Sequence, residues 1–255
     1  MKAGEPAPLV GTPLLQRAAA LMFAAAIALL LAGAAGWVVQ RPWFDLRHVD
    51  LRAADDEGLR HVNANTVRTA TAGRLSGNFF TMSLDEARTV FESVPWVAEV
   101  SLRRAWPDRL VVTITEHRAV AVWDDGRLLS DRGQLFVANV AEAELDAPLP
   151  QIDAPPRFSA EVARRLPHLA AQTAALGLTL DAVEVSDRAS WTLRTASGPT
   201  IEIGRDDPPG RLDERLALLV SHYPTLAAQA GAELLRIDVR YPQGFAVAAA
   251  VRRKP

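Results

Sequence analysis

The chain has 255 residues, with 28 lysines and arginines against 30 aspartates and glutamates, five histidines and no cysteine. Its formal net charge of −2 is spread over interspersed charges, with no basic tract and no aromatic-plus-arginine platform, so a nucleic-acid role has no support. The lack of cysteine excludes a disulfide scaffold and thiolate metal sites, and it permits an oxidising compartment without requiring one.

The first element is Ala18–Val39, an unbroken run without a charged or polar side chain between Arg17 and Arg41-Pro42. As a helix it is roughly 33 Å long, enough to cross a hydrocarbon core of about 30 Å. Two readings fit it. In a cleaved signal peptide, Arg17 is the n-region, Ala18–Leu31 the apolar h-region and Ala32-Gly33-Ala34 the cleavage site. In a retained span, the apolar run continues through Gly36-Trp37-Val38-Val39, with Trp37 at the edge where aromatic rings sit in a bilayer interface. The many alanines weaken insertion relative to a leucine-rich segment, but the continued run and the edge tryptophan favour the span. Lys2 and Arg17 before it, against Arg41 and Arg47 after it, lean slightly toward a cytoplasmic N-terminus. The expectation is a cytoplasmic tail over 1–17, a transmembrane helix over 18–39, and an α+β extracytoplasmic part of about 215 residues, one large domain or two small ones.

Beyond the span, Val49 and Leu51 alternate with charged residues, as in a half-buried strand. Asn65-Thr66 can cap a short helix through about Ala72, ended by Gly73. A polar, glycine-containing loop over Leu75–Phe80 leads to Ser83-Leu84-Asp85-Glu86, a capping-box pattern. Leu84, Ala87 and Phe91 share a face of the helix that follows, which must stop near Pro95. Ala98, Val100 and Leu102 alternate with polar residues, Trp106-Pro107-Asp108 is a turn, and Leu110–Glu116 is a β-branched strand. The resulting order is β-α-α-β-β.

The remainder is β-rich with two helices. Val120–Trp123 and Leu128–Ser130 flank the hairpin signal Asp124-Asp125-Gly126, and Asp131-Arg132-Gly133 turns into Leu135–Val137. An Asp/Pro-rich loop over Asp146–Pro156 precedes a helix from about Ser159 to Leu176. Strands follow at Leu180–Val185, Trp191–Thr195 and Thr200–Ile203. Asp207, with Pro208 at the first helical position, opens another helix whose stripe is Leu212, Leu216, Leu219, Val220 and Tyr223, and Pro224 ends or kinks it. The last strands, Leu235–Tyr241 and Phe245–Val251, are joined by Pro242-Gln243-Gly244.

No signature of catalysis emerges. His48, His61, His117, His168 and His222 are too far apart to form a local metal pair, and no HExxH, CxxC, Gly-rich phosphate loop or G-x-S-x-G elbow is present. Asp55-Asp56-Glu57 reads as a solvated turn. Neither a cofactor nor an enzymatic reaction is expected.

Pro95-Trp96-Val97, Val100-Ser-Leu-Arg103, Trp106-Pro107-Asp108 and the strand to Glu116 closely resemble the FtsQ/DivIB family of bacterial cell-division proteins. So do Ser190-Trp191, Gly204-Arg205, Tyr223-Pro224 and Ile237-Asp238-Val239-Arg240-Tyr241 followed by Gly244, so that the likeness spans roughly residues 14–251 in order. One departure is Ala119, where the family usually has proline after the glutamate that closes its first domain. The resemblance implies a single-span protein with a POTRA domain, here 44–117, and a partner-binding β domain, here 119–251. It implies a non-catalytic scaffold linking early and late division proteins at the septum, its bulk on the periplasmic side of the inner membrane. There it binds the FtsB–FtsL pair, while its POTRA domain meets other division proteins.

By position, the implied contact residues are Arg188, Arg240, Tyr241, Gln243, Gly244 and Phe245. Physical chemistry offers a route, because a last strand at Phe245–Val251 can accept a partner strand along its free edge. Arg240 and Tyr241 would add a charged fork and an aromatic anchor. Trp96 and Trp106 are expected as core and turn anchors. Two other readings are a POTRA-bearing secretion or assembly factor, which usually carries a β-barrel for which 255 residues leave no room, and a periplasmic protein released by signal cleavage.

Overall fold

The computed structural model describes residues 12–39, 41–56, 58–230, 232–241 and 244–250. Helix α1 (Thr12–Val39) begins inside the stretch read as a tail, and the rest of that tail lies outside the described residues. Its Gln16–Val39 segment has a mean hydropathy of 2.3, and none of it is buried against the remainder of the chain. A helix apolar on every side and uncovered by protein requires hydrocarbon around it.

The next five elements are β1 (His48–Ala53), α2 (Ala64–Thr71), α3 (Leu84–Glu92), β2 (Val97–Ala105) and β3 (Arg109–Glu116). Their three-stranded sheet has the order β1-β3-β2, with β1 parallel and β2 antiparallel to the central strand. This is the β-α-α-β-β order read from the sequence. The cap of α2 is Asn63, not Asn65, because the Asn63 carboxamide oxygen accepts from the Asn65 and Thr66 amides at 3.0 and 2.9 Å. Two of the orphan donors of the first turn are thereby satisfied. Ser83 caps α3 as expected, accepting from the Glu86 amide. Both helices bury one face, Val67 from α2 and Ala87 and Phe91 from α3, against Val100, Leu110, Val112 and Ile114 of the sheet.

The second sheet has nine strands: β4 (Ala119–Trp123), β5 (Leu128–Ser130), β6 (Leu135–Phe136), β7 (Gln151–Asp153), β8 (Leu180–Val185), β9 (Ser190–Thr195), β10 (Thr200–Arg205), β11 (Leu234–Asp238) and β12 (Ala246–Ala249). The spatial order is β12-β11-β10-β9-β8-β7-β4-β5-β6. A one-turn helix α4 (Val140–Ala143) and two longer ones, α5 (Ser159–Ala175) and α6 (Arg211–Ala230), complete it. Leu166 and Leu169 of α5 and Leu212, Leu216 and Leu219 of α6 pack on Trp191, Leu193, Ile201 and Ile203. The fully buried Trp123 and Trp191 are its largest side chains, the kind of aromatic burial that dominates a core's energetics.

Four sequence expectations are corrected here. The stretch read as an Asp/Pro-rich loop contains β7, which pairs in parallel with both β4 and β8 in the middle of the sheet. Its three residues hold one buried side chain, Ile152, between Pro150 and Pro155, too little for an alternating pattern to register. Helix α6 starts at Arg211, three residues after Pro208, and the Asp206 carboxylate accepts from the Leu212 amide at 3.0 Å. Pro224 does not end α6, which continues to Ala230. The last two strands are also shorter than read, leaving Arg240 and Tyr241 beyond β11 and Phe245 ahead of β12.

Only His117 and Arg118 separate the two sheets, and the junction is packed. Trp96 stacks on His61 with centroids 3.8 Å apart, meets Phe136 edge-on at 5.4 Å, and donates its indole N–H to Glu142 at 3.0 Å. Val122, Leu128 and Phe136 of the second sheet therefore share a core with the first. Trp96 has φ of 71°, a costly conformation for a large side chain, held by packing on several sides. Ala119, where the family usually has proline nearby, lies within β4 and pairs with Ser130.

Candidate functional site

Strand β12 forms one edge of the nine-stranded sheet. It pairs antiparallel with β11, Asp238 opposite Ala246, Ile237 opposite Val247 and Arg236 opposite Ala248. The Ala250 amide donates to the Glu233 carbonyl at 2.8 Å. By the two-residue period of a strand, Ala248 also faces β11, while Val247 and Ala249 turn their backbone groups to the open edge. Ala246, Val247 and Ala248 are exposed, and the strand carries neither charge nor proline, the usual devices that protect an edge from pairing.

Because β10 and β11 are parallel while β9 and β12 run against them, one end of the sheet collects four segments. These are the β8–β9 turn with Arg188, the end of β10, Arg240-Tyr241 after β11, and Gly244-Phe245 before β12. Two strand spacings, about 10 Å, separate the start of β9 from the end of β11. Gln243 lies outside the described residues.

Each side chain has a distinct setting. Tyr241 is 58% exposed, so it is not part of the core. Phe245 is half-buried, packs on the main core and tilts against His222 with ring centroids 5.9 Å apart. Arg188 is exposed in a turn closed by a Ser186-to-Ser190 backbone hydrogen bond, and the following Ala189 has φ of 58°.

Arg240 is not a free fork. Its Nε and terminal nitrogen donate to the two Asp238 carboxylate oxygens at 2.9 and 2.6 Å, and the terminal nitrogen also lies 2.8 Å from Glu202. Arg236 pairs with the other Glu202 oxygen. The hydrogen bond from Arg240 lowers the Asp238 carboxyl's pKa, against an opposing effect of burial. The same bond raises that of Arg240. Half of the Arg240 side chain remains exposed, so a fixed cationic face is still presented. Asp238 was visible in the sequence two residues before Arg240, but Glu202, on another strand, left no local signal.

A second ion-pair group lies behind this edge. Arg165 of α5 pairs with Asp206 and, at 3.0 Å, with Glu161, its guanidinium 5.6 Å from the Trp191 ring centre. Burial alone would raise the Asp206 carboxyl, but the Leu212 amide and Arg165 outweigh it and the value is lowered. Among the described residues, no group of three or more His, Cys, Asp or Glu is placed to hold a metal ion.

Comparison with known proteins gives a consistent result. Residues 121–240 match the family profile described as cell division protein FtsQ/DivIB, C-terminal, and residues 57–117 match POTRA domain, FtsQ-type. The chain is 39% identical over 239 residues to the cell division protein FtsQ of Burkholderia pseudomallei, covering 94% of this chain and 93% of that one. It is 36% identical over 238 residues to the protein of the same name from Bordetella pertussis, covering 89% and 87%. The FtsQ of Thiomonas arsenitoxydans is 33% identical over 215 residues, covering 83% and 77%.

Proposed function

The chain belongs to the FtsQ/DivIB family of cell-division proteins, and from that membership we propose that it is a non-catalytic scaffold of the division machinery that binds the FtsB–FtsL pair. In this reading residues 44–117 are the POTRA domain, open to other division proteins, and residues 119–251 are the partner-binding domain. The N-terminus is cytoplasmic, the folded part stands on the periplasmic side of the inner membrane, and the protein works at the septum.

The observation that carries the reading is the outer edge of β12, unpaired among the described residues, beside an exposed Tyr241. A partner strand laid along Ala246–Ala249 finds the Val247 and Ala249 backbone groups already aligned. Tyr241 supplies an exposed anchor, and Arg188 and Arg240 set positive charge at the same end. Gly244 and Phe245 lead into the strand, and Gln243, outside the described residues, joins the proposed contact set by its sequence position alone.

The test uses the full chain in lipid nanodiscs, titrated with the extracytoplasmic part of an FtsB–FtsL pair. Val247→Pro removes an outward amide while leaving the inner ladder its donors, and Tyr241→Glu reverses the anchor's character. Each is expected to weaken binding by about tenfold or more, equivalent to about 1.4 kcal/mol. Unchanged affinity in both, with the fold intact by circular dichroism, overturns the site.

A further inference from the structure

The far end of the three-stranded domain carries a set of exposed aromatics that the partner-binding edge does not use. Trp43 and Trp106 are each 75% exposed, and Phe80 is 50% exposed. They come from three separate segments, so chance exposure of a single loop does not account for them. Hydrogen bonds, from side chain and backbone alike, tie the three segments to one another and to the end of the span.

The connections begin at the last residue of α1. The Asn78 side-chain amide donates to the Val39 carbonyl at 2.6 Å, and the Phe79 amide donates to the Phe44 carbonyl at 2.8 Å. Asn78 is itself buried, and its oxygen accepts from the Phe80 and Thr81 amides. Gly77 has φ of 98°, and a Cβ there would stand 2.8 Å from the Met82 nitrogen, so this tight loop excludes other residues. The loop is thus a built socket for the end of the span. Phe80 rests edge-on against Phe44 and Phe79 at 5.0 and 5.2 Å.

The β2–β3 turn joins the same end. The Arg104 guanidinium donates to the Met82 carbonyl at 2.5 Å, two residues before Trp106. The Arg47 and His48 amides donate to the Asp108 carbonyl at 3.0 and 3.3 Å. Since β3 is parallel to β1, and β1 leads away from the span, the start of β3 and its preceding turn must face the membrane. On the span itself, Arg41 lies 3.4 Å over the Trp37 ring, a cation–π pair at the level where the helix leaves the hydrocarbon.

We infer that this end of the domain is a bilayer-contact surface, on which Trp43, Phe80 and Trp106 seat in the phospholipid headgroup layer next to the span. Tryptophan suits that layer because its ring is apolar while its N–H seeks a polar partner. Exposed aromatics on a water-facing surface mark a contact, and here the adjoining surface is the membrane that α1 enters. The effect is orientation: one span fixes a point, whereas three further contacts resist tilting and set the height at which β12 stands above the bilayer. The inference rests on the span and not on the partner-binding reading.

The chain's lack of cysteine makes single-site labelling direct. Trp106→Cys, Leu30→Cys and Val137→Cys variants of the full chain carry a nitroxide in nanodiscs containing anionic phospholipid. Access to oxygen and to a water-soluble nickel complex is then compared. The Leu30 label is expected in the hydrocarbon, the Val137 label in water, and the Trp106 label at headgroup depth. A Trp106 label as open to nickel as the Val137 label, with Leu30 still deep, overturns the contact surface and leaves the span standing. A water-exposed Leu30 label overturns both. Because labelling removes the indole, unlabelled protein is also compared with Trp106→Phe in vesicles of headgroup-proximal brominated lipid. The variant is expected to lose part of the quenchable fluorescence, and equal quenching overturns the inference.

Discussion

Gly204 of β10 and Arg240 beyond β11 meet with no room for a side chain between them. A methyl group at Gly204 would stand 2.8 Å from the Arg240 Cγ and 3.4 Å from an Arg215 guanidinium nitrogen. Gly204 also has φ of 84° and sits at a register shift against β9. The bare backbone there is what lets the Arg240 stem lie flat while its far end is fixed on Asp238 and Glu202. The ion pair and the glycine are one device, and it sets where the cationic face at the edge points.

Gly204→Ala should therefore act twice. The positive φ costs roughly 1–2 kcal/mol for a residue with a Cβ, and the displaced Arg240 stem weakens its pairing with Asp238. Chemical denaturation is expected to show a loss of about 2 kcal/mol. Adding Arg240→Ala should cost less than the sum of the single changes, because the contact is already broken. Strict additivity would show that the two positions do not communicate.

Glu116 offers a second test, at the junction between the sheets. One carboxylate accepts three consecutive amides, from Arg60, His61 and Val62, at 3.0, 3.0 and 2.6 Å. It ties the loop before α2 to the end of β3, and so fixes His61 under Trp96. Glu116→Gln keeps one acceptor and should lower stability by about 1 kcal/mol, whereas Glu116→Ala should cost about 3 kcal/mol. Thermal unfolding of the full chain in detergent distinguishes these, and equal effects would mean that the amides find water instead.

What the sequence revealed follows physical range. The span, the β-α-α-β-β order and the α6 stripe rest on local periodicity, and all were readable. Strand β7 was not, because three residues between prolines hold no period and its strand character comes from β4 and β8 on either side. At the edge, the motif around Arg240 and Tyr241 was legible as a family likeness. Its support from Glu202 and Gly204 was not, since parallel pairing of β10 with β11 joins residues more than thirty positions apart. Trp106 read as a turn anchor, and only the hydrogen bond from Arg104 to the Met82 carbonyl ties its hairpin to the loop that meets the end of α1.

His117 gives the chain a defined acid sensitivity. Its ring stacks on Phe136 with centroids 4.2 Å apart, and its Nδ1 is buried without a hydrogen-bond partner among the described residues. Burial lowers its pKa, Arg132 adds to the lowering, and Asp131 opposes it in part. Between the lowered folded value and the ordinary value of about 6.5, the unfolded chain binds more protons than the folded one, so stability must rise with pH. The contribution is complete above about pH 6.5 and is lost as the pH falls through the folded value. His117→Phe keeps the stack and removes the proton site. The difference in unfolding midpoint between the parent chain and His117→Phe, followed from about pH 7.5 to about pH 5.5, is expected to grow in the variant's favour as the solution is acidified. Every other group is common to both proteins and cancels in that difference. A gap independent of pH would mean that the folded junction does not shift the imidazole's pKa at all, and a gap that narrows on acidification would mean that Asp131 rather than burial governs its charge.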